Sequence, residues 1–285
     1  MPAASQAACA ERRSQFARKD MSDSKILFEK DGKTAVIILN RPQRRNALDE
    51  ESRQLLAAAI ETAREDASIA SVVLTGAGGH FCSGADLGDD GKEGEIPLLV
   101  RDALLDAHRW HAELMDLEKP VISAIDGFAV GAGLSLALGA DFIVASDRAR
   151  LASNFPRIGF APDLGLMYIL PRLVGLVRAR EIVFSARDIL ADEALSIGLV
   201  QAVVPAERLR ETAVDYARRF DDAPTHVLGM AKGILNHTFE TDRHAMAQLE
   251  TAVQGICAAS SYNAEAIRRF FAKEPPLYGG AQRLF

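Results

Sequence analysis

Apolar and polar positions along the chain change register several times, and each change marks an element. In KILFEKDGKTAVIILNR two β-rich runs flank Asp31-Gly32, a dipeptide that tolerates the positive φ of a tight turn, so the folded part opens with a hairpin. DEESRQLLAAAIETAREDASI switches to helical spacing, with Asp49 placed as N-cap and acids in the first turn. SVVLTG, Ser71 to Gly76, reads as a short buried strand that runs into the glycine-rich GAGGHFCSGADL. The charged run GDDGKEGEI reads as a solvated, mobile loop, and VRDALLDAHRWHAELMDL as a helix stopped near Glu118 by Pro120. PVISAIDG, AGLSLALGA and DFIVAS follow as strand, helix and strand, the βαβ order that builds parallel sheets.

Beyond PRIGFAPDLGLMYILPRLVG the β signal thins to GLVQAVV, and from Glu207 to Ala272 the pattern is essentially helical. The expected organisation is therefore α/β: a disordered extension over 1–22, an α/β core over 23–204, and a helical C-terminal region over 205–285. MPAASQAACAERRSQFARKD has no apolar h-region, so it is not a secretory signal, and Met21 is expected to open the folded part.

Composition narrows the function classes. The 285 residues are 48% apolar and 25% charged, enough for a sizeable core and a solvated surface. Apolar runs are broken by charge or glycine before about 18 residues, so no membrane span is expected. A net charge of -6 without a basic stripe argues against nucleic acid and for a small-molecule ligand. Cys9, Cys82 and Cys257 are odd in number and far apart, which fits a reducing compartment. The expected location is the cytoplasm, or an organelle matrix if the arginine-bearing extension is a targeting segment.

Two glycine-rich turns invite a nucleotide-binding reading and fail it. Gly76-Ala77-Gly78-Gly79-His80-Phe81 has a phenylalanine where the third small residue belongs, and Gly131-Ala132-Gly133-Leu134-Ser135-Leu136 lacks that residue too. No P-loop and no G-x-S-x-G elbow is present. His108 and His111 lie three apart on a helix, but no carboxylate or cysteine completes a familiar ligand set, so one is expected to face solvent and the other to pack, with no metal bound.

FCSGADL and GFAVGAGLSL share a different property: each places glycine beside alanine where a strand ends, so the backbone can be approached closely. The first N–H groups of a helix have no internal partners and carry partial positive charge, so the turn at Gly131 to Gly133 suits an oxygen that becomes negative. The pair resembles the signatures of the crotonase superfamily, the enoyl-CoA hydratase/isomerase fold. The likeness extends through LNRPQRRNALD, FCSGADL, KPVISAIDGFAVGAGLSLALGADFIVAS, IGFAPDLGLMYILPRLVG, ADEALSIGLVQAVV and AIRRFFAKEPP, in that order.

The resemblance implies a crotonase-like ββα spiral core and chemistry at an acyl-CoA thioester, whose carbonyl oxygen would be held by the backbone amides of Ala85 and Ala132 between Gly131 and Gly133. It places the ADP part of CoA near Arg44 or Arg45 and along Asp86, Leu87 and Gly88, with Lys273 reaching CoA from its own or an adjacent subunit. It also implies a homotrimer or a dimer of trimers. Coenzyme A enters as part of the substrate, and no metal or redox cofactor is required.

The reaction turns on acids. Family hydratases use two glutamates, and the matching positions here carry Ser135 and Phe155. Asp163 remains, matching the aspartate of family enoyl- and dienoyl-CoA isomerases, and burial beside Phe155, Phe160 and Leu164 is expected to raise its pKa. The leading expectation is double-bond isomerisation with Asp163 as acid and base. Three alternatives stand beside it. One is an enoyl-CoA hydratase, and another is a non-catalytic acyl-CoA-binding protein. The third is an aryl-CoA dehalogenase-like hydrolase pairing Asp163 with His108. Asp163 also reads simply as a turn former after Pro162.

Overall fold

The computed structural model describes residues 24–88 and 96–280. The expected disordered extension, Cys9 and most of the GDDGKEGEI loop lie outside the described residues.

β1 (Ile26–Asp31) and β2 (Thr34–Leu39) form the hairpin, whose two turn residues are Gly32 and Lys33, with Gly32 at φ 60°. α1 (Glu50–Glu65) starts at Asp49, whose carboxylate accepts from the Ser52 amide as an N-cap should. β3 (Ser71–Gly76), α2 (Ile96–Met115), β4 (Val121–Ile125), β5 (Phe128–Val130), α3 (Ala132–Leu138), β6 (Phe142–Ser146) and β7 (Arg150–Ala152) follow. Next come α4 (Leu166–Val174), α5 (Leu176–Ser185), β8 (Ile189–Leu190), α6 (Ala191–Ser196) and β9 (Ala202–Val204). The chain closes with α7 (Leu209–Arg218), α8 (Thr225–Leu235), α9 (Arg243–Ala258) and α10 (Ser261–Ala272).

The main sheet has six strands in the order β1-β2-β3-β4-β6-β9, parallel throughout except for the β1–β2 hairpin. Both of its faces are covered, and the two-residue period of a strand decides which side chain goes where. Ala35, Ile37, Leu39, Val72 and Leu74 point into a large core shared with Leu56, Ile60 and Leu114. Their neighbours Val36, Ile38, Val73 and Ile122 point the other way, against Ala213, Val214, Tyr216 and Ala217 of α7. The first helix of the C-terminal region is therefore part of the core rather than an appendage to it.

A second sheet, β5-β7-β8, was not visible in the sequence. Its strands are two or three residues long, too short for alternation to show. This small sheet sets one turn of the site, because β5 leads directly into α3.

Asn46 ties the loop after β2 to the loop after β3. It is 1% exposed; its side chain accepts from the Arg41 amide at 2.8 Å and donates to the carbonyls of Ala77 at 2.9 Å and His80 at 2.6 Å. Its own φ is 58°, which asparagine tolerates better than most residues. Among the described residues no helix is long and apolar enough to cross a membrane. Asn46→Ala leaves three backbone groups without their partner and is expected to cost about 2–4 kcal/mol of folding stability. Urea denaturation at constant m-value measures it.

Candidate active site

The two glycine-bearing loops meet backbone to backbone. The Cys82 amide donates to Phe128 at 2.8 Å and its carbonyl accepts from Val130 at 2.9 Å, which pins the first loop along β5. A Cβ on Gly133 would lie 2.3 Å from the Cys82 carbonyl oxygen, so only glycine permits this approach. Gly84, at φ 99°, also approaches closely: a Cβ there would sit 2.9 Å from the Val130 oxygen and 3.4 Å from the Ala132 nitrogen. The peptides ending in Ala85 and Ala132 are thereby neighbours. Neither amide has a hydrogen-bond acceptor among the described residues, whereas the flanking Leu48, Asp86 and Gly131 amides all do.

Gly131 caps α3 at φ 57°, ψ −126°, a conformation that side chains resist. The Phe155 ring packs over it, 3.9 Å from where a Cβ would be, and Phe155 is buried. The burial of Cys82 in the adjoining loop pushes its thiol up to about 12, so it stays protonated and inert.

Asp163 stands on a turn whose next two residues, Leu164 and Gly165, are both left-handed at φ 47° and 80°. One carboxylate oxygen, Oδ1, is buried without a hydrogen-bond partner. Burial raises its pKa above the ordinary 3.8, and the charge of the nearby His108 opposes that only in part. Of the three residues expected to bury it, Phe155 and Leu164 are inside, but Phe160 is 52% exposed. The ring of Phe160 faces solvent because the short helical turn Phe155–Ile158 ends at a left-handed Gly159, which turns the chain outward.

The histidine pair divides as expected: His108 is exposed and His111 is buried. Burial holds His111 down to about 4, so it is neutral at physiological pH. Among the described residues no group of three or more histidine, cysteine, aspartate or glutamate side chains could hold a metal ion.

Of the residues assigned to CoA, Arg44, Arg45, Leu87 and Gly88 lie exposed along the rim formed by the two adjoining loops. Arg45 spans the Phe128 ring at 5.2 Å, and Arg44 makes no ion pair among the described residues. Asp86 is otherwise engaged: it accepts from Arg41 at 2.9 Å and from the Gly88 amide at 3.1 Å. Burial alone would raise its pKa, but those two bonds hold it below the usual range. Arg41 also reaches Asp49 at 3.2 Å and the Ala47 carbonyl at 2.6 Å. It fastens the rim, a role that a single arginine in a polar loop gave no sign of. Lys273 is exposed where α10 ends and forms no hydrogen bond or ion pair with the other site residues among those described.

Comparison with known proteins decides the family. The enoyl-CoA hydratase/isomerase family profile matches residues 29–281. The chain belongs to the enoyl-CoA hydratase/isomerase family. Over 248 residues it is 33% identical to the 1,2-epoxyphenylacetyl-CoA isomerase of Escherichia coli K12, covering 86% of this chain and 94% of that one. It is 32% identical to the short-chain-enoyl-CoA hydratase of Clostridium acetobutylicum over 254 residues, 89% of this chain and 97% of that one. A crystal structure of an enoyl-CoA hydratase/isomerase from Cupriavidus metallidurans CH34 superposes with a TM-score of 0.84 at 36% identity, covering 93% of this chain and 99% of that one. The crotonase-like fold with a helical C-terminal region, expected from the resemblance, is the fold of this enoyl-CoA hydratase/isomerase family member.

The arrangement thus gathers Ala85, Gly131, Ala132, Gly133, Phe155 and Asp163, with His108 at the edge. Two residues join them in roles the sequence did not disclose. The Ser135 hydroxyl, wholly buried, donates to the Asp163 carbonyl at 3.0 Å, and His111 packs behind both. Their spacing from the turns, three residues for Ser135 from Ala132, was the only signal available.

Because the folded-state pKa of Asp163 is raised, its charged form costs stability above that pKa, and the cost disappears below the unfolded value. Asp163→Asn is therefore expected to melt a few degrees higher than the wild type at pH 7.5, with the gap narrowing as the pH is lowered toward the carboxylate range. Calorimetry of both proteins across pH 7.5 to 4.5 checks the sign.

Proposed function

We propose that the protein shifts a carbon–carbon double bond in an acyl-CoA thioester, with Asp163 carrying the proton. The thioester oxygen accepts from the Ala85 and Ala132 amides. The Asp163 carboxylate takes a proton from one carbon of the acyl chain, the resulting dienolate is held through its oxygen, and the same carboxyl returns the proton two carbons away. No electron pair leaves the substrate and no water is consumed, so no metal or redox cofactor is needed.

The observation that carries this reading is mechanical. The helix that begins with the Ala132 amide is bonded, one turn later, to the carbonyl of Asp163. Donor and base thus sit on one rigid unit, and the carboxylate is left short of hydrogen bonds, as a working base should be. The positions where the resemblance expects the hydratase glutamates hold Ser135, whose hydroxyl is occupied, and the buried Phe155. An isomerase is among the relatives, although other relatives are named hydratases.

Arg44, Arg45, Leu87 and Gly88 are proposed to receive the CoA nucleotide at the rim, with Lys273 contributing from its own or a neighbouring subunit. α9 and α10 have no fully buried residue, and Phe270 and Phe271 are 78% and 77% exposed. These helices are proposed to pack in a trimer or a dimer of trimers. Light scattering is expected to give the mass of three or six chains for the wild type and a smaller species for Phe270→Asp combined with Phe271→Asp.

One second reading has an observation behind it: His108 is close enough to act on the Asp163 charge. In a dehalogenase-like reaction Asp163 would be the nucleophile and His108 the base. Halide release from a halobenzoyl-CoA identifies that case.

Activity over 2-enoyl, 3-enoyl and dienoyl thioesters is the decisive assay. The wild type is expected to isomerise a 3-enoyl-CoA and to hydrate crotonyl-CoA poorly, and Asp163→Asn to lose about a hundredfold or more in kcat. An unchanged Asp163→Asn rate, or fast hydration by the wild type, overturns the assignment. CoA binding without any turnover would make the protein an acyl-CoA binder.

A further inference from the structure

The backbone that presents Asp163 is not one its sequence prefers. Leu164 is a bulky residue held at φ 47°, a left-handed conformation that side chains resist and that persists only where the surroundings over-determine it. Two buried polar residues do so from behind. Ser135 is completely inaccessible, and its hydroxyl has the Asp163 carbonyl at 3.0 Å as the nearer acceptor, with the Gly131 carbonyl at 3.4 Å as the weaker one.

His111 stands behind Ser135. Burial keeps its imidazole uncharged, and its Nε2 is buried without a hydrogen-bond partner. The ring is wedged between the end of α3 and the Asp163 turn: Nε2 lies 2.5 Å from the place of a Cβ on Gly139, and Cε1 lies 3.5 Å from the place of one on Gly165. Gly139 has an ordinary helical φ of −74°, so glycine is there for room, not for conformation. A neutral wedge adds shape without adding a second charge beside the carboxylate.

We propose that Ser135 is a positioning residue for Asp163, its hydroxyl fixing the turn that carries the carboxylate to the helix that carries the Ala132 amide, with the His111 ring packed between the end of that helix and the turn. This rests on the reading of Asp163 as the base. The hydroxyl touches no reacting atom; it sets the separation between the carbon being deprotonated and the group that deprotonates it. A misplacement of about 1 Å in such a pair costs on the order of a hundredfold in rate.

The test is Ser135→Ala in the full-length protein, beside the wild type and Asp163→Asn, with two readouts. Steady-state isomerisation of a 3-enoyl-CoA is expected to show kcat reduced about 10- to 100-fold with KM within about twofold. Carbon-13 titration of the Asp163 carboxyl, assigned by its absence in Asp163→Asn, is expected to move toward the ordinary carboxylate range as the turn relaxes into water. If Asp163→Asn is inactive while Ser135→Ala keeps the wild-type kcat and carboxyl titration and only melts lower, Ser135 is merely structural and the inference falls. If Asp163→Asn itself isomerises at the wild-type rate, the base is elsewhere, and it is the reading beneath the inference that falls.

Discussion

The backbone of Cys82 lies against the first turn of α3 at a distance that no side chain at position 133 could survive, and the site is built outward from that contact. It brings two strand ends together, and with them two amides that have no acceptor of their own. Everything else holds this approach in place. β5 clamps Cys82 through two hydrogen bonds, Asn46 ties the loops below it, and Arg41 fastens the rim through Asp86 and Asp49. Ala85 is exposed and Ala132 half-buried, so the residues that carry these amides lie open at the site rather than sealed in the core.

Asp163 contrasts with three other partly buried carboxylates. Asp49, Asp86 and Asp126 are each partly buried, which by itself would raise their pKa values, yet all three are held low by cationic side chains and backbone amides. They are fasteners, ionised throughout the neutral range. Asp163 is also desolvated but has no cation bonded to it, and one of its oxygens is bare. The same residue type is thus tuned in opposite directions within one chain, by the presence or absence of hydrogen-bond donors.

What the sequence disclosed follows from how local each signal is. The hairpin, the Asp49 cap, the Ser71–Gly76 strand and α3 are set by neighbours a few residues apart, and all are found where the pattern puts them. The β5-β7-β8 sheet was illegible because its strands are shorter than one period of alternation can reveal. Ser135 was legible only as something missing, a hydroxyl where an acid was looked for. Its bond to Asp163 spans 28 residues and depends on α4 returning beside α3. One histidine of the pair was expected to pack without the sequence saying which; it is His111, and what it packs against is the turn of the proposed base. Phe160 misled because an aromatic beside an aspartate says nothing of which way the chain turns at Gly159.

That Ser135 stands where the resemblance implies a hydratase glutamate also bears on charge. A second carboxylate in this enclosure would face Asp163 across low-polarity surroundings, and like charges so placed titrate as a pair, with one proton retained well above the ordinary range. That serves a reaction in which one group activates water while another donates a proton. It hinders one in which a single group must both take and return the same proton, because the base would be partly protonated before the substrate arrives. With Ser135 in that register, burial dominates the protonation of Asp163, opposed in part by the exposed His108 and a backbone hydrogen bond. On the proposed reading, a hydroxyl at this position does two things at once: it brings no competing charge, and it spends its hydrogen bond on the backbone of Asp163.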